Sequence, residues 1–404
     1  MFISFTRFTF MQSISRRLQK INYSQTLAMS SKTRFLKEKG LDVISLSLGE
    51  PDFSPPSYIL EAAKKAIDQG HHYYTPVAGY LELREAICEK FLRDNSLHYK
   101  PSQIVVSAGS KQAISNLFLS LLNPGDKVII PSPYWGSYYE MVNLCEAIPV
   151  IIHTTISSNF KITPEQLEEA ITTDVKIFIF SSPCNPSGSV YSYYELKCLS
   201  EVFVKHPQII IISDEIYEYI NYSEKSTSIG SFPEVYEQTV TLNGVSKAFS
   251  MTGWRIGFIG APIWLAKACE KMQGQTSSGS NSIAQQAAII ALKSNPNRIS
   301  FMIEAFRKRR DLVLEMMKNI PGFLPNIPDG AFYIFPDISK FIGNTFLGVK
   351  ISNAYDLSMF LLEKAQVATV AGNSFGENLC LRISYAASTE ALKEAFKRIK
   401  RMLS

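Results

Sequence analysis

NGVSKAFSMTGWRIG, residues 243–257, sets a lysine and an arginine eight residues apart in a loop rich in Ser and Gly. Apolar runs flank it, TVTL (239–242) before and the GFIG of RIGFIGAP (255–262) after. The runs read as strands and the stretch between them as a loop at a sheet edge. A neutral lysine amine can condense with an aldehyde, and a fixed guanidinium can grip a phosphate through two hydrogen bonds. Lys247 and Arg255 therefore suit a ligand that carries both groups. Taken alone, two ordinary solvated cations explain the pair more readily, and its surroundings decide between the readings.

Outward from this loop the pattern alternates helix and strand. Residues 57–69 and 82–93 have helical periodicity. QIVVSAG (103–109) reads as a buried strand and SKQAISNLFLSLL (110–122) as the helix after it. DKVIIPSP (126–133), VKIFIFSS (175–182) and QIIIISDE (208–215) are further apolar strands. Near-continuous apolar strands separated by helices indicate a mostly parallel sheet covered on both faces. The expected fold is α/β, with a seven-stranded type of sheet between helices in a large domain over residues 49–295. The chain ends differ. A long charged helix is expected at 296–319, short strands in GAFYIFP, VATVAG and LCLRISYA, and helices at 353–365 and 388–403. Together with residues 11–48 they predict a smaller α+β domain, residues 11–48 and 296–404.

Composition narrows the function. Hydrophobic residues make up 46% of the 404, and no window approaches the ~18 apolar residues of a membrane span. A net charge of +5 without a basic run argues against nucleic acid or a membrane as partner. Six scattered cysteines with no C-x-x-C pair fit reduced thiols in a cytoplasmic setting. Residues 1–37 hold seven Lys or Arg and no Asp or Glu. That composition admits a transit peptide. The other reading makes residues 1–10 a non-native or disordered extension, with Met11 as the natural start.

In open parallel sheets ligands bind beyond the carboxyl ends of the strands. After QIVVS comes Gly109-Ser110-Lys111, opening a helix whose free N–H groups favour an anion. After DKVIIPSP stands Trp135, an aromatic able to stack on a flat ring. After VKIFIF comes Asn185, in a turn bounded by Pro183 and Pro186. After QIIIIS comes Asp214, a partner for a protonated ring nitrogen, with Tyr217 three residues on. Lys247 follows the next strand. Each signal is weak alone: Asp214 could cap a helix, and turn asparagines are common. Their succession on five strand ends points to pyridoxal 5′-phosphate (PLP).

The chain at this point resembles the class I, fold-type I PLP-dependent aminotransferases, and among them the bacterial-type aspartate aminotransferases. The resemblance runs from about residue 15 to 403 and is carried by GEPDF (49–53), YTPVAGYLELREA (74–86), SAGSKQA (107–113), NPGDKV (123–128), SPYWGSY (132–138), SPCNPSG (182–188), SDEIYE (213–218), SKAFSMTGWRIG (246–257), GAFY (330–333) and LRISYA (381–386). It implies that Lys247 bonds the cofactor and later shuttles a proton, and that Asp214 pairs with the ring nitrogen. Tyr217 and Asn185 hold the ring oxygen, and Trp135 stacks on the ring. Gly109, Ser110, Lys111, Ser246 and Arg255 surround the phosphate. Tyr74 reaches the phosphate of a neighbouring subunit, which implies a homodimer with shared sites. Arg382 grips the substrate α-carboxylate with Asn185 and the backbone of Gly49. Where the family often has two asparagines, this chain has Cys184 and Asn185.

The resemblance also bears on the substrate. The loop GQTSSGSNS (274–282) lacks the arginine that some relatives use for a second carboxylate. The bacterial-type branch uses the lysine of G-x-K-Q instead, here Lys111, with Thr26 as a further polar contact. The expectation is an aminotransferase acting between aspartate or glutamate and 2-oxoglutarate or oxaloacetate by a ping-pong cycle. Prephenate and aromatic acids are the alternative substrates. A PLP-dependent lyase and a non-catalytic PLP-binding regulator are the alternative roles.

Overall fold

The computed structural model describes residues 14–223 and 226–403. The expectation for residues 1–10 lies outside the described residues. A seven-stranded sheet forms the centre of the molecule. Its strands in chain order are β1 (Ile104–Ser107), β2 (Lys127–Pro131), β3 (Ile148–Ile152), β4 (Val175–Ser181), β5 (Ile210–Asp214), β6 (Thr239–Gly244) and β7 (Gly257–Gly260). In space they run β1–β7–β6–β5–β4–β2–β3. The five strands from β6 to β3 are mutually parallel. Apolar residues on both faces of β4 and β5 are buried, as the unbroken apolar runs require.

β7 runs against both of its neighbours. The β6–β7 connection, residues 245–256, holds one short 3₁₀ turn (Thr252–Trp254) and no crossover helix, so the chain returns antiparallel. The reversal has a chemical consequence. Gly257 at the start of β7 pairs with Ser107 at the end of β1 and with Gly244 at the end of β6. Arg255 is thereby carried to the same sheet edge as Lys247 and Gly109.

β3 carries no clear strand signal in the sequence. Pro149 interrupts its apolar run, and a proline fits here because β3 is an edge strand. The expected helix at 296–319 is a 3₁₀ turn (Pro296–Ile299) followed by the helix Ser300–Lys318. Pro296 at the first position suits the tighter entry.

The N-terminal segment joins the C-terminal one. Ile44–Ser45 pairs in parallel with Val367–Ala368, while Val370–Ala371, Leu381–Ser384 and Tyr333–Ile334 make a small antiparallel sheet. Arg309 of the helix Ser300–Lys318 clasps Asp52 through two bonds of 2.7 and 2.9 Å. That ion pair anchors the GEPDF segment just beyond Gly49.

Beneath the site lies a buried ionic cluster. Lys90, 1% exposed, pairs with Glu218 and donates to Asn95 Oδ1 at 2.5 Å. Asn95 Nδ2 in turn bonds Glu218 at 2.8 Å and Glu215 at 3.0 Å. Burial and the Glu218 charge push Glu215 up to about 8. Removing one partner of such a cluster strands the other's charge. Lys90→Met is expected to cost about 3–5 kcal/mol of unfolding free energy in a urea titration, and the Lys90→Met/Glu218→Met pair to recover most of it.

Candidate active site

The carboxyl ends of β1, β2, β4, β5 and β6 and the amino end of β7 open on a cavity of about 450 Å³. Ser110, Lys111, Trp135, Asn185, Asp214, Tyr217, Ser246, Lys247, Arg255 and Arg382 all line it, as do Gly49 and Thr26. Gly109 sits directly behind the wall. Its φ of +83° suits glycine, and a Cβ there would collide with Arg255 Nη2. Gly257 is equally constrained, since a Cβ would collide with the Ser110 backbone nitrogen. These close approaches let the Arg255 guanidinium lie against the turn that opens the helix Ser110–Leu121. Arg255 is held there by the carbonyls of Thr252 (2.9 Å) and Ala108 (3.3 Å).

Tyr74 alone stands apart. Its side chain is 100% exposed, outside the cavity of its own chain.

Lys247 Nζ donates to the Gly49 carbonyl at 2.6 Å. Removal from water brings its pKa down to about 8; Arg382 and Arg255 push the same way, against Glu50 and Asp214. A larger share of the amine is thus neutral near pH 7 than for a free lysine. Asp214 is 3% exposed. It accepts from Tyr138 Oη at 2.6 Å and from the Ile216 N–H at 3.2 Å. Burial nevertheless raises it to about 6, as expected of a carboxylate without a full cationic partner.

Arg382, 2% exposed, donates to Asn185 Oδ1 at 2.9 Å and to the Ser47 carbonyl at 2.6 Å. Its Nε has no hydrogen-bond partner among the described residues. Its guanidinium carbon lies 4.6 Å from the Tyr333 ring centre and 4.8 Å from that of Phe375. Tyr217 and Tyr333 share a bond of 2.7 Å between their hydroxyls. Burial keeps Tyr217 far above the usual phenol range, so it remains a donor. Lys111 Nζ lies 5.0 Å from the Trp135 ring centre, and burial followed by the Arg255 charge lowers its pKa.

Tyr138 and Tyr333 touch the expected residues Asp214 and Tyr217 directly, and neither is marked for a role by its sequence. Both fall inside the motifs SPYWGSY and GAFY. Nothing local marks a tyrosine as the partner of an aspartate from another strand.

A model of the family "Aminotransferase class I and II" matches residues 41–399. The chain belongs to this family. It is 46% identical over 393 residues to the aspartate/prephenate aminotransferase of Cereibacter sphaeroides, covering 96% of this chain and 98% of that protein. It is 44% identical over 396 residues to a Petunia hybrida bifunctional aspartate aminotransferase and glutamate/aspartate-prephenate aminotransferase, covering 97% of this chain and 83% of that one. The crystal structure of the Rhizobium meliloti aspartate aminotransferase superposes with a TM-score of 0.93 at 40% identity, over 97% and 98% of the two chains. The protein is a PLP-dependent aminotransferase of fold type I.

The residues present fit that cofactor. An amine of lowered pKa, a buried carboxylate and a guanidinium seated at a helix start converge on one cavity. The amine's pKa gives a direct test. Capture of PLP by the apo protein is expected to rise with pH through a midpoint of about 8, because only the neutral amine attacks an aldehyde. A midpoint near the ~10.4 of free lysine would contradict the burial seen here.

Proposed function

We propose that this aminotransferase moves the amino group between aspartate or glutamate and 2-oxoglutarate or oxaloacetate by a ping-pong cycle. The observation that carries the substrate choice is Lys111. It is a cation on the cavity wall facing Trp135, with no carboxylate partner among the described residues.

When bound, PLP supplies an aldehyde for the lysine and a ring that withdraws electrons from the substrate α-carbon. Ser110, Ser246, the Gly109–Lys111 turn and Arg255 would hold its phosphate. Asp214, steadied by Tyr138, would pair with the ring nitrogen and keep it protonated. Trp135 would lie against the ring. Tyr217 and Asn185 would donate to the ring oxygen. Arg382 receives the substrate α-carboxylate in the fork geometry that guanidinium and carboxylate share. Its bond to Asn185 and the flanking aromatic rings hold that fork in place. The Lys247 amine would also take the proton from the substrate α-carbon and hold it at Nζ for return. Its amine suits both tasks, since a base with a pKa near the working pH gives and takes protons with similar ease.

The same reading assigns Tyr74 to a second copy of the chain. Tyr73 and Tyr74, 77% and 100% exposed, form an aromatic surface that a homodimer would cover. It also divides the chain into residues 49–295 and the pair 11–48 with 296–404, a division supported by the pairing of Ile44–Ser45 with Val367–Ala368. The six unpaired cysteines support a cytoplasmic setting. No described helix is long and apolar enough to cross a membrane.

A second acceptor has support of its own. A wider cavity of about 760 Å³ adjoins the site and shares Thr26, Lys111 and Trp135 with it. That space admits a bulkier keto acid with two carboxylates, such as prephenate.

Two variants test the reading. Lys247→Ala is expected to lose turnover by roughly 10²–10⁴-fold or more, together with the visible absorption of lysine-bonded cofactor. Retained turnover would remove Lys247 from the chemistry. Lys111→Ala is expected to lower kcat/KM for aspartate by roughly 10–100-fold, the loss of one charge-assisted hydrogen bond. Alanine as donor should be little affected. Equal losses on both donors would place Lys111 on the phosphate alone.

A further inference from the structure

The helix Gln25–Glu38 forms one wall of the cavity. Thr26, Ser30 and Arg34 all line it, spaced four residues apart on one helical face. Thr26 belongs to the proposed substrate contacts; Arg34 does not. Two turns separate them, about 12 Å along the axis, so Arg34 stands at the far end of this polar stripe. Its side chain is exposed and has no hydrogen-bond or ion-pair partner among the described residues. Most other arginines have one. Arg309 holds Asp52, Arg307 holds Glu304 and Arg398 holds Asp42.

The cavity charge gives the isolated cation a use. Lys111, Lys247, Arg255 and Arg382 line the cavity with Arg34, against only Glu50 and Asp214 as acids. A cleft of one predominant sign focuses the field and speeds the arrival of opposite charges. The other four cations each have a task in the proposed chemistry. Arg34 is exposed and has no partner among the described residues, so its charge acts on a ligand through the field.

We infer that Arg34 is a recruiting residue, which draws dicarboxylic substrates into the cavity without touching the reacting atoms. The inference rests on the dicarboxylate reading above. It makes Arg34 a determinant of association rate rather than of the chemical step. Because the effect is one of charge, a lysine in its place would serve nearly as well as the arginine, whereas a neutral residue would not.

The test is stopped-flow binding of maleate, an unreactive dicarboxylate, to the cofactor-loaded protein, followed by its absorbance change. Arg34→Gln is expected to slow association roughly 3- to 10-fold at low salt. Dissociation and kcat should stay near wild type, and the difference should vanish near 1 M salt, where the Debye length falls to about 3 Å. Arg34→Lys should restore most of the rate. Equal association rates for wild type and Arg34→Gln at low salt would overturn the inference. So would a deficit that survives high salt or is not restored by lysine, since either would mark a direct bidentate or packing contact. If the wild-type protein itself fails to bind maleate, the dicarboxylate reading fails instead, and the role of Arg34 falls with it.

Discussion

A lysine amine, drawn out of water and held by one carbonyl oxygen, governs the site. Lys247 Nζ bonds Gly49 O, and the two residues come from distant parts of the chain. Lys247 rides the loop between β6 and β7. Gly49 opens the GEPDF segment, which Arg309 anchors through Asp52. The contact therefore joins the central sheet to the segments at the chain ends. A neutral carbonyl oxygen satisfies the amine's hydrogen bonding without supplying the charge that would keep it protonated. Burial is the largest cause of its pKa of about 8, with Arg382 and Arg255 adding to it against Glu50 and Asp214.

The sheet supplies the second constraint. Parallel strands deliver their carboxyl ends to one edge, and the reversed β7 delivers its amino end there as well. Arg255 reaches the Gly109 turn by this route, eight residues beyond Lys247. Gly109 and Gly257 permit the approach, since a side chain at either would strike the guanidinium or the helix start. The close packing of backbone around one arginine explains why the loop and the first strand–helix turn form one cradle although they lie far apart in sequence.

Much of this arrangement was legible in the residues. The apolar, β-branched runs of β1, β2, β4 and β5 and their lengths mark buried strands, and the candidate site residues follow them closely. What was not legible depends on tertiary pairing. Pro149 hid β3 because a proline is acceptable only when no strand lies beyond it. The direction of β7 hung on the missing crossover helix. Tyr138 and Tyr333 acquire their partners across the fold, from β5 and from the SDEIYE turn. Arg34 could not be told from any solvated arginine until the helix face it shares with Thr26 and Ser30 was seen to line the cavity.

Two lysines in the cavity, Lys247 and Lys111, have lowered pKa values, and the assignment of the chemistry turns on choosing between them. Borohydride reduction of the cofactor-loaded protein, followed by peptide mapping with mass spectrometry, decides it. The geometry predicts the reduced pyridoxyl group on the peptide that contains Lys247 and no other. A label on Lys111, or no label on Lys247, would contradict the account.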